Sequence, residues 1–401
     1  MRITVPDRLA VPREVLAIAT KLEEAGFETW CVGGAIRDAL LQLENRDFDL
    51  TTAARPEDVQ RLFRRTVPIG VEHGTVAVLD SGNQPHEVTT FRKDVLTDGR
   101  HAQVEFGVSL TDDLARRDFT INAIAYHPIR HEWRDPFNGG QDLDRKLIRA
   151  VGDPNWRFQE DYLRILRALR FAARFEFRIH GPTREAAQAN AQGLSQLSAE
   201  RVRDEWFKGI ETARRVSRLL ALWHEVGAAR IWLPEIRKAG GGGGDQKAVD
   251  KLPRDPVIVT AYLATDPASL LTRLKCANRD IERGRAIREW RGRYPDGKRF
   301  SDVRRWLSET GPAAEDLLAL LPASAPRSSL PAMVEAIRVA GDPLSVKDLA
   351  VRGEDLIAAG VRPGPDVGEM LQRLLADVLE DPGRNTRDHL LARVREWLKA
   401  A

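Results

Sequence analysis

The local sequence pattern changes near residue 150, and this change restricts the possible folds more than any other feature of the chain. Before it, short runs rich in β-branched and aromatic residues, such as FETWCVGG and GTVAVLD, alternate with segments that have helical spacing. From about residue 156 onward the strand signals fade, and helix-like segments cut by glycine and proline continue along the chain. The pattern predicts an N-terminal α+β unit followed by an extended α-helical body.

Composition excludes several classes of protein. A chain of 401 residues can form roughly two to four packed units. Its 62 basic and 59 acidic residues nearly cancel, so the overall charge does not indicate a nucleic acid partner. Cys31 and Cys276 are too few for a disulfide framework, and no apolar run approaches the length of a membrane helix. Because charges and prolines occupy the N-terminus, where a signal peptide would need an apolar core, we predict a cytoplasmic protein without membrane contact.

Periodicity and turn residues predict individual elements in both parts of the chain. Helices are expected where apolar residues recur every three or four positions, and strands where they alternate with polar ones. The predicted helices are 12–26, AIRDALLQL, PEDVQRLFRR, INAIAY, one continuous helix over 156–175, and SAERVRDEWFKGIE. The predicted strands are FETWCVGG, RDFDL and the hairpin GTVAVLD–HEVTTF, and the glycine run at 240–244 is expected to be a surface loop.

Two aspartates, Asp47 and Asp49, lie on the predicted strand RDFDL. Side chains two apart on a strand point to the same face, where two carboxylates repel and raise each other's pKa. A hard cation such as Mg²⁺ would relieve this repulsion, because it prefers carboxylate oxygens. These residues taken alone leave a second interpretation open, a solvated strand face whose acids pair with Arg46 and Arg55.

Features close to this pair favour a phosphate ligand. Gly33 and Gly34 open a predicted helix, where free backbone N–H groups attract anions, and Arg37 adds positive charge one turn later. A third acid, Glu87 on the predicted hairpin, could complete a site of three carboxylates. Each of these features taken singly is also compatible with an ordinary tight turn or a solvent-facing strand residue.

Two further polar clusters stand in apolar surroundings. Arg117, Asp118 and Asn122 occur in RRDFTINAIAYHP, where Asp118 or Thr120 could instead cap the INAIAY helix. The segment EDYLRILRALRFAARF combines Asp161 and Arg164, three residues apart, with the later arginines Arg167 and Arg170. An acceptor beside a planar bidentate donor suits the edge of a base, and more arginines suit phosphates, although an ion-paired solvated helix face gives a similar pattern.

Taken together, these segments resemble the class II tRNA nucleotidyltransferase and bacterial poly(A) polymerase family of the polymerase-β superfamily. Five segments between residues 31 and 210 follow the order and spacing of the family's motifs. They are VGGAIRDALL with DFDLTT, RRDFTINAIAYHP, DPFNGGQDLDRKLIRAVGDP, EDYLRILRALRFAARF and LSAERVRDEWFKGI. The tail segment GEDLIAAGVRPGPDVGEML also resembles bacterial members.

The resemblance implies a fold and a domain plan. The expected fold class is α+β, with a polymerase-β-like nucleotidyltransferase head that contains a small mixed sheet, followed by an elongated all-α body and tail. The expected domains are a catalytic head over 1–150, a nucleotide-selecting helical neck over 151–235, and a helical, tRNA-binding body and tail over 236–401.

The resemblance also implies roles for individual residues. Asp47 and Asp49 match ligands of two Mg²⁺ ions, and Glu87 matches the third catalytic acid. The residues that match nucleotide contacts are Gly33, Gly34, Arg37, Arg117, Asp118, Asn122, Asp161, Arg164, Arg167 and Arg170. Asp161 and Arg164 match the pair that reads the incoming base in place of a template. Cytosine and adenine both offer an exocyclic amine and a ring nitrogen acceptor, which suit an Asp acceptor beside an Arg donor.

The implied activity is the addition of C, C and A to the 3′ end of tRNA from CTP and ATP, with the tRNA held at its acceptor end and T arm. The run 92–107 resembles a loop used to switch from C to A addition and argues against a CC-only enzyme. The form EDYLR argues against a poly(A) polymerase, and an A-only enzyme stays open. An intact acidic pair argues against a silent RNA-binding module, and the chain lacks the His-Asp dipeptide of an added phosphohydrolase domain.

Overall fold

The computed structural model describes residues 5–44, 47–70, 74–97, 102–237, 245–324 and 328–400. The chain divides into two compact units, Met1–Pro234 and Glu235–Ala401. The finer domain boundaries expected from the sequence stay predictions. Two expectations lie outside the described residues: Arg46 as a partner of the acidic pair, and the glycine loop at 240–244.

The first unit contains the β-structure found in the described part of the chain. Its strands are β1 (Thr29–Val32), β2 (Asp49–Thr52), β3 (Thr66–Gly70), β4 (Thr75–Leu79), β5 (Pro85–Thr90), β6 (Arg92–Thr97), β7 (Ala102–Phe106), β8 (Ala125–Tyr126), β9 (Trp133–Arg134), β10 (Leu147–Ile148) and β11 (Arg178–Ile179). Its helices are α1 (Arg13–Glu24), α2 (Gly34–Leu40), α3 (Pro56–Leu62), α4 (Leu110–Ala115), α5 (Gly139–Asp144), α6 (Pro154–Glu160), α7 (Leu163–Phe175), α8 (Gly181–Ala189), α9 (Ala199–Thr212), α10 (Val216–Val226) and α11 (Ala228–Trp232).

The described strands of the first unit form a seven-stranded sheet in the order β3-β4-β5-β2-β1-β8-β9. Strands β2 and β5 run parallel and the other neighbours antiparallel, so the sheet is mixed, as predicted. In the parallel pair Leu50 lies opposite Val88, which places Asp49 and Glu87 at adjacent positions one residue earlier. The sheet therefore brings together two acids that are far apart in sequence.

A buried apolar cluster joins this sheet to the helices around it. Its members are Trp30, Val32, Phe91, Leu110, Leu114, Ala123, Ala125 and Val151. Helix α7 is amphipathic, as its spacing predicts, with Leu166, Leu169 and Ala173 fully buried. Burying a leucine side chain contributes about 2 kcal/mol, so this face holds α7 firmly while its arginines face the other way.

Most local predictions for the first unit are confirmed. Helix α1 ends where Gly26 adopts a positive φ of 87°, and β1 runs into the paired glycines that open α2. Helices α3 and α9 and the β4–β5 hairpin occur where the sequence placed them. In the hairpin turn, the backbone N–H groups of Gly82 and Gln84 donate to Asp80, which explains the tight reversal at SGNQP.

Three local predictions are wrong. Asp47 precedes strand β2, which begins at Asp49. The INAIAY segment is a short 3₁₀ turn followed by β8, because its apolar residues pair with β1 in the sheet rather than continue a helix. The helix expected over 156–175 breaks after Glu160, because the Asp161 carboxylate accepts the backbone N–H of Leu163 at 3.0 Å and starts a new helix there.

In its described residues, the second unit contains helices and connecting loops but no strands. Its helices are α12 (Pro256–Leu263), α13 (Pro267–Arg273), α14 (Asn278–Trp290), α15 (Phe300–Thr310), α16 (Ala313–Ser324), α17 (Leu330–Ala340), α18 (Gly353–Ala358), α19 (Pro365–Glu380) and α20 (Arg387–Ala400). One apolar cluster is built around Trp306, Leu317 and Val334, and another around Leu356, Leu374 and Val394. The change from a mixed sheet to helices confirms the predicted α+β fold class.

Within the described ranges, no helix is both long enough and apolar enough to cross a bilayer.

Candidate active site

A cleft with a volume of about 760 Å³ lies in the first unit. Its walls come from the start of α2, the stretch 116–118, helix α7 and one residue of α9. The predicted site residues that line it are Gly33, Gly34, Arg37, Asp47, Asp49, Arg117, Asp118, Asn122, Asp161, Arg164, Arg167 and Arg170. Among the described candidates, Glu87 does not line the cleft, although it lies beside Asp49 in the sheet.

One end of the cleft is acidic. Burial, together with the negative charges of Glu87 and Asp47, raises the pKa of Asp49 to about 6, although the positive charge of Arg117 opposes this shift. Asp49 therefore carries a negative charge that the protein compensates poorly. Such an arrangement attracts a cation, because a nearby positive charge stabilises the ionised carboxylate.

The donor set at this end fits a divalent cation. Asp47 and Asp49 offer carboxylate oxygens, and Glu87 adds negative charge from the neighbouring strand. No group of three or more His, Cys, Asp or Glu side chains in the described ranges is arranged to hold a metal by itself. That is compatible with Mg²⁺, which is usually bound by one or two carboxylates, substrate phosphates and water.

The turn between β1 and α2 brings the backbone close to this acidic end. Gly33 has a φ of 78°, and a Cβ atom built on it would lie 3.3 Å from Arg117 Nη1 and 3.4 Å from Asp49 Oδ2. A side chain here would be strained and would intrude between a cation and an anion. Gly33, which is predicted to contact phosphate, is therefore also favoured at this position by its backbone conformation and its close neighbours.

Arg37 is buried beneath the cleft rather than extended into solvent. Its guanidinium donates to Asn122 Oδ1 at 2.6 Å and to Asp38 Oδ1 at 2.8 Å. It also lies over the rings of Phe171 and Phe175, at 5.0 and 4.8 Å from the ring centres. Burial lowers the pKa of Arg37, and Asp38 counteracts this shift. Its contacts make Arg37 a fixed element of the cleft floor.

Asp118 is the centre of a buried polar network. Its carboxylate accepts from the Phe119 N–H at 2.8 Å, from Asn122 Nδ2 at 2.9 Å and from Arg167 Nε at 2.7 Å. Burial opposes its ionisation, but the charge of Arg167 and these hydrogen bonds outweigh it and hold the pKa at about 2. Asp118 is therefore an ionised acceptor that orients Arg167, and it caps no helix.

This low pKa predicts how Asp118 contributes to stability. Because the folded value lies below the unfolded value of 3.8, the contribution is complete above about pH 4 and is lost as pH falls through 2. Replacing Asp118 with Asn should lower the free energy of unfolding by about 2 kcal/mol at pH 7. The measurement is urea unfolding of both proteins from pH 7 downward, in which the difference should shrink below pH 4.

The exposed Asp7 supplies the control, since Asp7→Asn removes the same charge from the surface. A deficit of Asp118→Asn that stays constant from pH 7 to the lowest pH at which both proteins fold would contradict the assignment.

The arginines of α7 are held by an acid from a distant helix. Glu205 on α9 accepts from Arg170 Nε at 2.6 Å and lies 3.9 Å from Arg167 Nη1. Arg37, Arg167 and Arg170 all approach the ring of Phe171, the last at 4.4 Å. The α7 arginines are thus parts of a fixed array, and a solvated helix face does not describe them.

The proposed base-reading pair lies at the break between α6 and α7. Asp161 accepts from Leu163 N–H at one oxygen and from Arg201 Nη2, at 2.7 Å, at the other. Arg164 donates to the carbonyls of Arg157 and Arg116, at 3.0 and 3.1 Å, and to the Glu160 carboxylate. Both side chains line the cleft and both are oriented by the protein itself.

Sequence reasoning missed several residues of this cleft. They are Asp38, Phe171, Arg174 and Arg201, which line it, and Glu205, which supports it from behind. Arg201 and Glu205 lie one turn apart in LSAERVRDEWFKGI, a spacing that places both on one face of α9. That spacing was visible in the sequence, but their partners lie 35 to 40 residues away in the chain.

Family models match three parts of the chain. The Poly A polymerase head domain matches residues 29–149, the RNA- and SrmB-binding site of polymerase A matches 176–239, and tRNA nucleotidyltransferase domain 2 matches 315–394. The mixed sheet, its paired acids and the arginine-lined cleft define a nucleotidyltransferase of the polymerase-β class.

Whole-chain relatives make the assignment more specific. The CCA-adding enzyme of Limosilactobacillus fermentum is 35% identical over 99% of this chain and 99% of its own length. The crystal structure of the Bacillus stearothermophilus CCA-adding enzyme in complex with CTP is 30% identical, with a TM-score of 0.80, and covers 97% of this chain and 98% of its own. The chain belongs to the family of CCA-adding enzymes, which confirms the predicted resemblance.

A more distant structure shares the fold. The Thermotoga maritima CCA-adding enzyme complexed with tRNA-CCA is 20% identical, with a TM-score of 0.68, and covers 97% of this chain and 96% of its own. The whole chain therefore follows an architecture known from solved members of the family.

Proposed function

We propose that this protein adds C, C and A to the 3′ end of tRNA, using CTP and ATP, without a nucleic acid template and with release of pyrophosphate. The observation that carries the proposal is the composition of one cleft: the acids Asp47 and Asp49 and the pair Asp161 and Arg164 line the same space. A single nucleotide could therefore have its triphosphate near the acids and its base near the pair.

The base end supports selection of cytosine and adenine. Asp161 accepts hydrogen bonds and Arg164 donates them, which suits bases with an exocyclic amine next to a ring nitrogen acceptor. Guanine and uracil present a carbonyl and an N–H in those places, so both contacts would fail. Because Arg164 is held by the carbonyls of Arg157 and Arg116, its direction is set before a base arrives.

The acidic end supports nucleotidyl transfer. Asp47 and Asp49 would hold two Mg²⁺ ions, and Glu87 would add negative charge from the neighbouring strand. When bound, such ions lower the pKa of the attacking tRNA 3′-hydroxyl and neutralise charge on the triphosphate. The chain's own part is to fix the donors: Gly33 lets the backbone approach Asp49, and Asp113 holds the Arg117 guanidinium at 3.2 Å.

The buried network would fix the remaining nucleotide contacts. Asp118 and Asn122 tie Arg167 to Arg37 through a continuous chain of hydrogen bonds. Arg167 and Arg170 would then present positive charge to the cleft without reorganising on binding. Transfer by positioning and charge neutralisation needs such rigidity, because a misplaced phosphate loses its in-line geometry.

The segment 92–107 supports full CCA addition over C-only addition. Strands β6 and β7 form an antiparallel hairpin from most of it, while residues 98–101 lie outside the described ranges. We further propose that the helical second unit contacts the acceptor end and T arm of tRNA through their shape and phosphates. The proposed location for this reaction is the cytoplasm.

Product sequencing tests this function. tRNA that lacks its 3′ end is incubated with CTP alone, with ATP alone and with both, and the 3′ ends are sequenced. We expect two cytidines with CTP alone and CCA with both nucleotides. No cytidine on this tRNA, with a single A added to a tRNA that already ends in CC, would indicate an A-only enzyme. Two cytidines and no A would indicate a CC-only enzyme, and a run of adenosines would indicate a poly(A) polymerase; each result contradicts the proposal.

A further inference from the structure

We infer that Arg201 is a positioning residue that sets the base selectivity of the cleft by fixing the carboxylate of Asp161. The inference rests on the proposed function, because it assumes that Asp161 reads the incoming base. It assigns a role to a residue of α9 that lies 40 positions away in sequence.

The carboxylate of Asp161 is held at both of its oxygens. The residue lies in extended backbone, with φ of −156° and ψ of 106°, between the end of α6 and the start of α7. Its Oδ1 accepts the Leu163 N–H at 3.0 Å and its Oδ2 accepts Arg201 Nη2 at 2.7 Å. One donor on each oxygen fixes the plane of the carboxylate.

The fixed carboxylate plane of Asp161 sets the direction in which it can accept a hydrogen bond from a base. An ionised carboxylate has about four acceptor positions, so two donors leave acceptor capacity for the amine of a base. Without Arg201, one hydrogen bond to Leu163 remains, and the terminal torsion of an aspartate is broad. The carboxylate could then turn away from the amine of cytosine, and the energetic difference between cytosine and uracil would shrink.

Helix α9, which carries Arg201, is held rigidly by its packing. Val202 and Trp206 are fully buried in the core, and Glu205 binds the buried Arg170 of α7 one turn further along. The Arg201 side chain is 36% exposed, so its charge is placed at the cleft surface while its helix is held from behind. A group carried by a packed helix can impose its position on Asp161.

Arg203, two residues from Arg201, does not share its position at the cleft. Arg203 lies on the same helix, donates to the adjacent Asp204 at 2.9 Å, and does not line the cleft. It therefore offers a matched control, with the same change of charge on the same helix.

The experiment measures kcat/KM for CTP and for UTP on tRNA that lacks its 3′ end, in the full-length protein. The variants are Arg201→Ala, Arg201→Lys and Arg203→Ala. We expect Arg201→Ala to lower the CTP-to-UTP ratio about tenfold, as the loss of one hydrogen bond to a charged group would do, with a smaller loss for Arg201→Lys. Arg203→Ala should leave the ratio unchanged.

A double-mutant cycle shows whether Arg201 acts through Asp161. In an Asp161→Ala background, Arg201→Ala should change the ratio no further. The inference is overturned if Arg201→Ala lowers both rates and leaves their ratio intact, or if it lowers the ratio equally when Asp161 is already absent. If the wild-type protein incorporates neither CTP nor ATP, the proposed function fails and the inference fails with it. If the wild-type protein incorporates both and only the ratio departs from the expectation, the inference alone fails.

Discussion

Replacing Asp49 with Asn is expected to reduce nucleotide incorporation by at least about a thousandfold, because the variant loses a proposed metal ligand and the negative charge that attracts the metal. The same change should make the metal-free protein more stable at pH 7. Activity and stability would then move in opposite directions, which distinguishes a functional acid from a structural one.

The sign of the stability change follows from the pKa of Asp49. Its folded value of about 6 lies above the unfolded value of 3.8, so the folded state binds the proton more tightly. The charged carboxylate therefore destabilises the folded protein above pH 6, and this penalty fades as pH falls toward 3.8. Removing the charge should raise the free energy of unfolding by about 3 kcal/mol at pH 7.

Urea unfolding in the presence of a chelator measures this gain, and a tRNA incorporation assay with saturating Mg²⁺ measures the loss. Glu57→Gln, which removes one charge from an exposed position on α3, is the control and should change neither. An Asp49→Asn protein that is less stable than wild type in chelator at pH 7, or that still turns over with saturating Mg²⁺, would be incompatible with the assignment.

The second large effect is expected at Glu205. Glu205→Ala should lower the free energy of unfolding by about 3 kcal/mol, because it leaves the buried Arg170 guanidinium without its acid partner. Arg170 is 8% exposed and binds both oxygens of Glu205, at 2.6 and 3.4 Å. Incorporation should also fall, since Arg167 and Arg170 would no longer be held in place along the cleft.

Chemical denaturation at pH 7 checks this effect. Glu211→Ala, at an exposed position later on the same helix, should stay within about 0.5 kcal/mol of wild type. Glu205→Gln keeps an oxygen that can accept a hydrogen bond but removes the charge. Its loss of unfolding free energy should therefore lie between those of Glu211→Ala and Glu205→Ala. If Glu205→Ala unfolds at the same denaturant concentration as wild type, the ion pair does not stabilise the fold.

The element types of this chain were predictable because they depend on local patterns. The buried strand TWCV, the paired glycines behind it and the alternation in HEVTTF each identify their structure from a few adjacent residues. The ordered motifs then indicated the polymerase-β class. Those motifs supplied twelve of the residues that line the cleft, but they did not supply Asp38, Phe171, Arg174 or Arg201.

The failures occur where long-range contacts override local preference. INAIAY has helical spacing, but pairing with β1 and β9 makes part of it a strand. The helix through Asp161 breaks because its carboxylate binds the backbone two residues on, which periodicity does not reveal. The break occurs at Asp161, a residue that lines the cleft.

The partners of the site residues were also hidden from sequence reasoning. Nothing local indicates that Arg201 binds Asp161 or that Glu205 binds Arg170, because these pairs join separate helices. The same holds for Asp49 and Glu87, whose proximity depends on the parallel register of β2 and β5. The sequence proposes the site residues, and the fold determines how each is held.

Crystals soaked with CTP and Mn²⁺, in place of Mg²⁺, would show where the metal and the base bind. We expect anomalous density for manganese beside Asp47 and Asp49, with the cytosine edge against Asp161 and Arg164. Manganese bound away from both aspartates, or a cytosine ring outside this cleft, would contradict it.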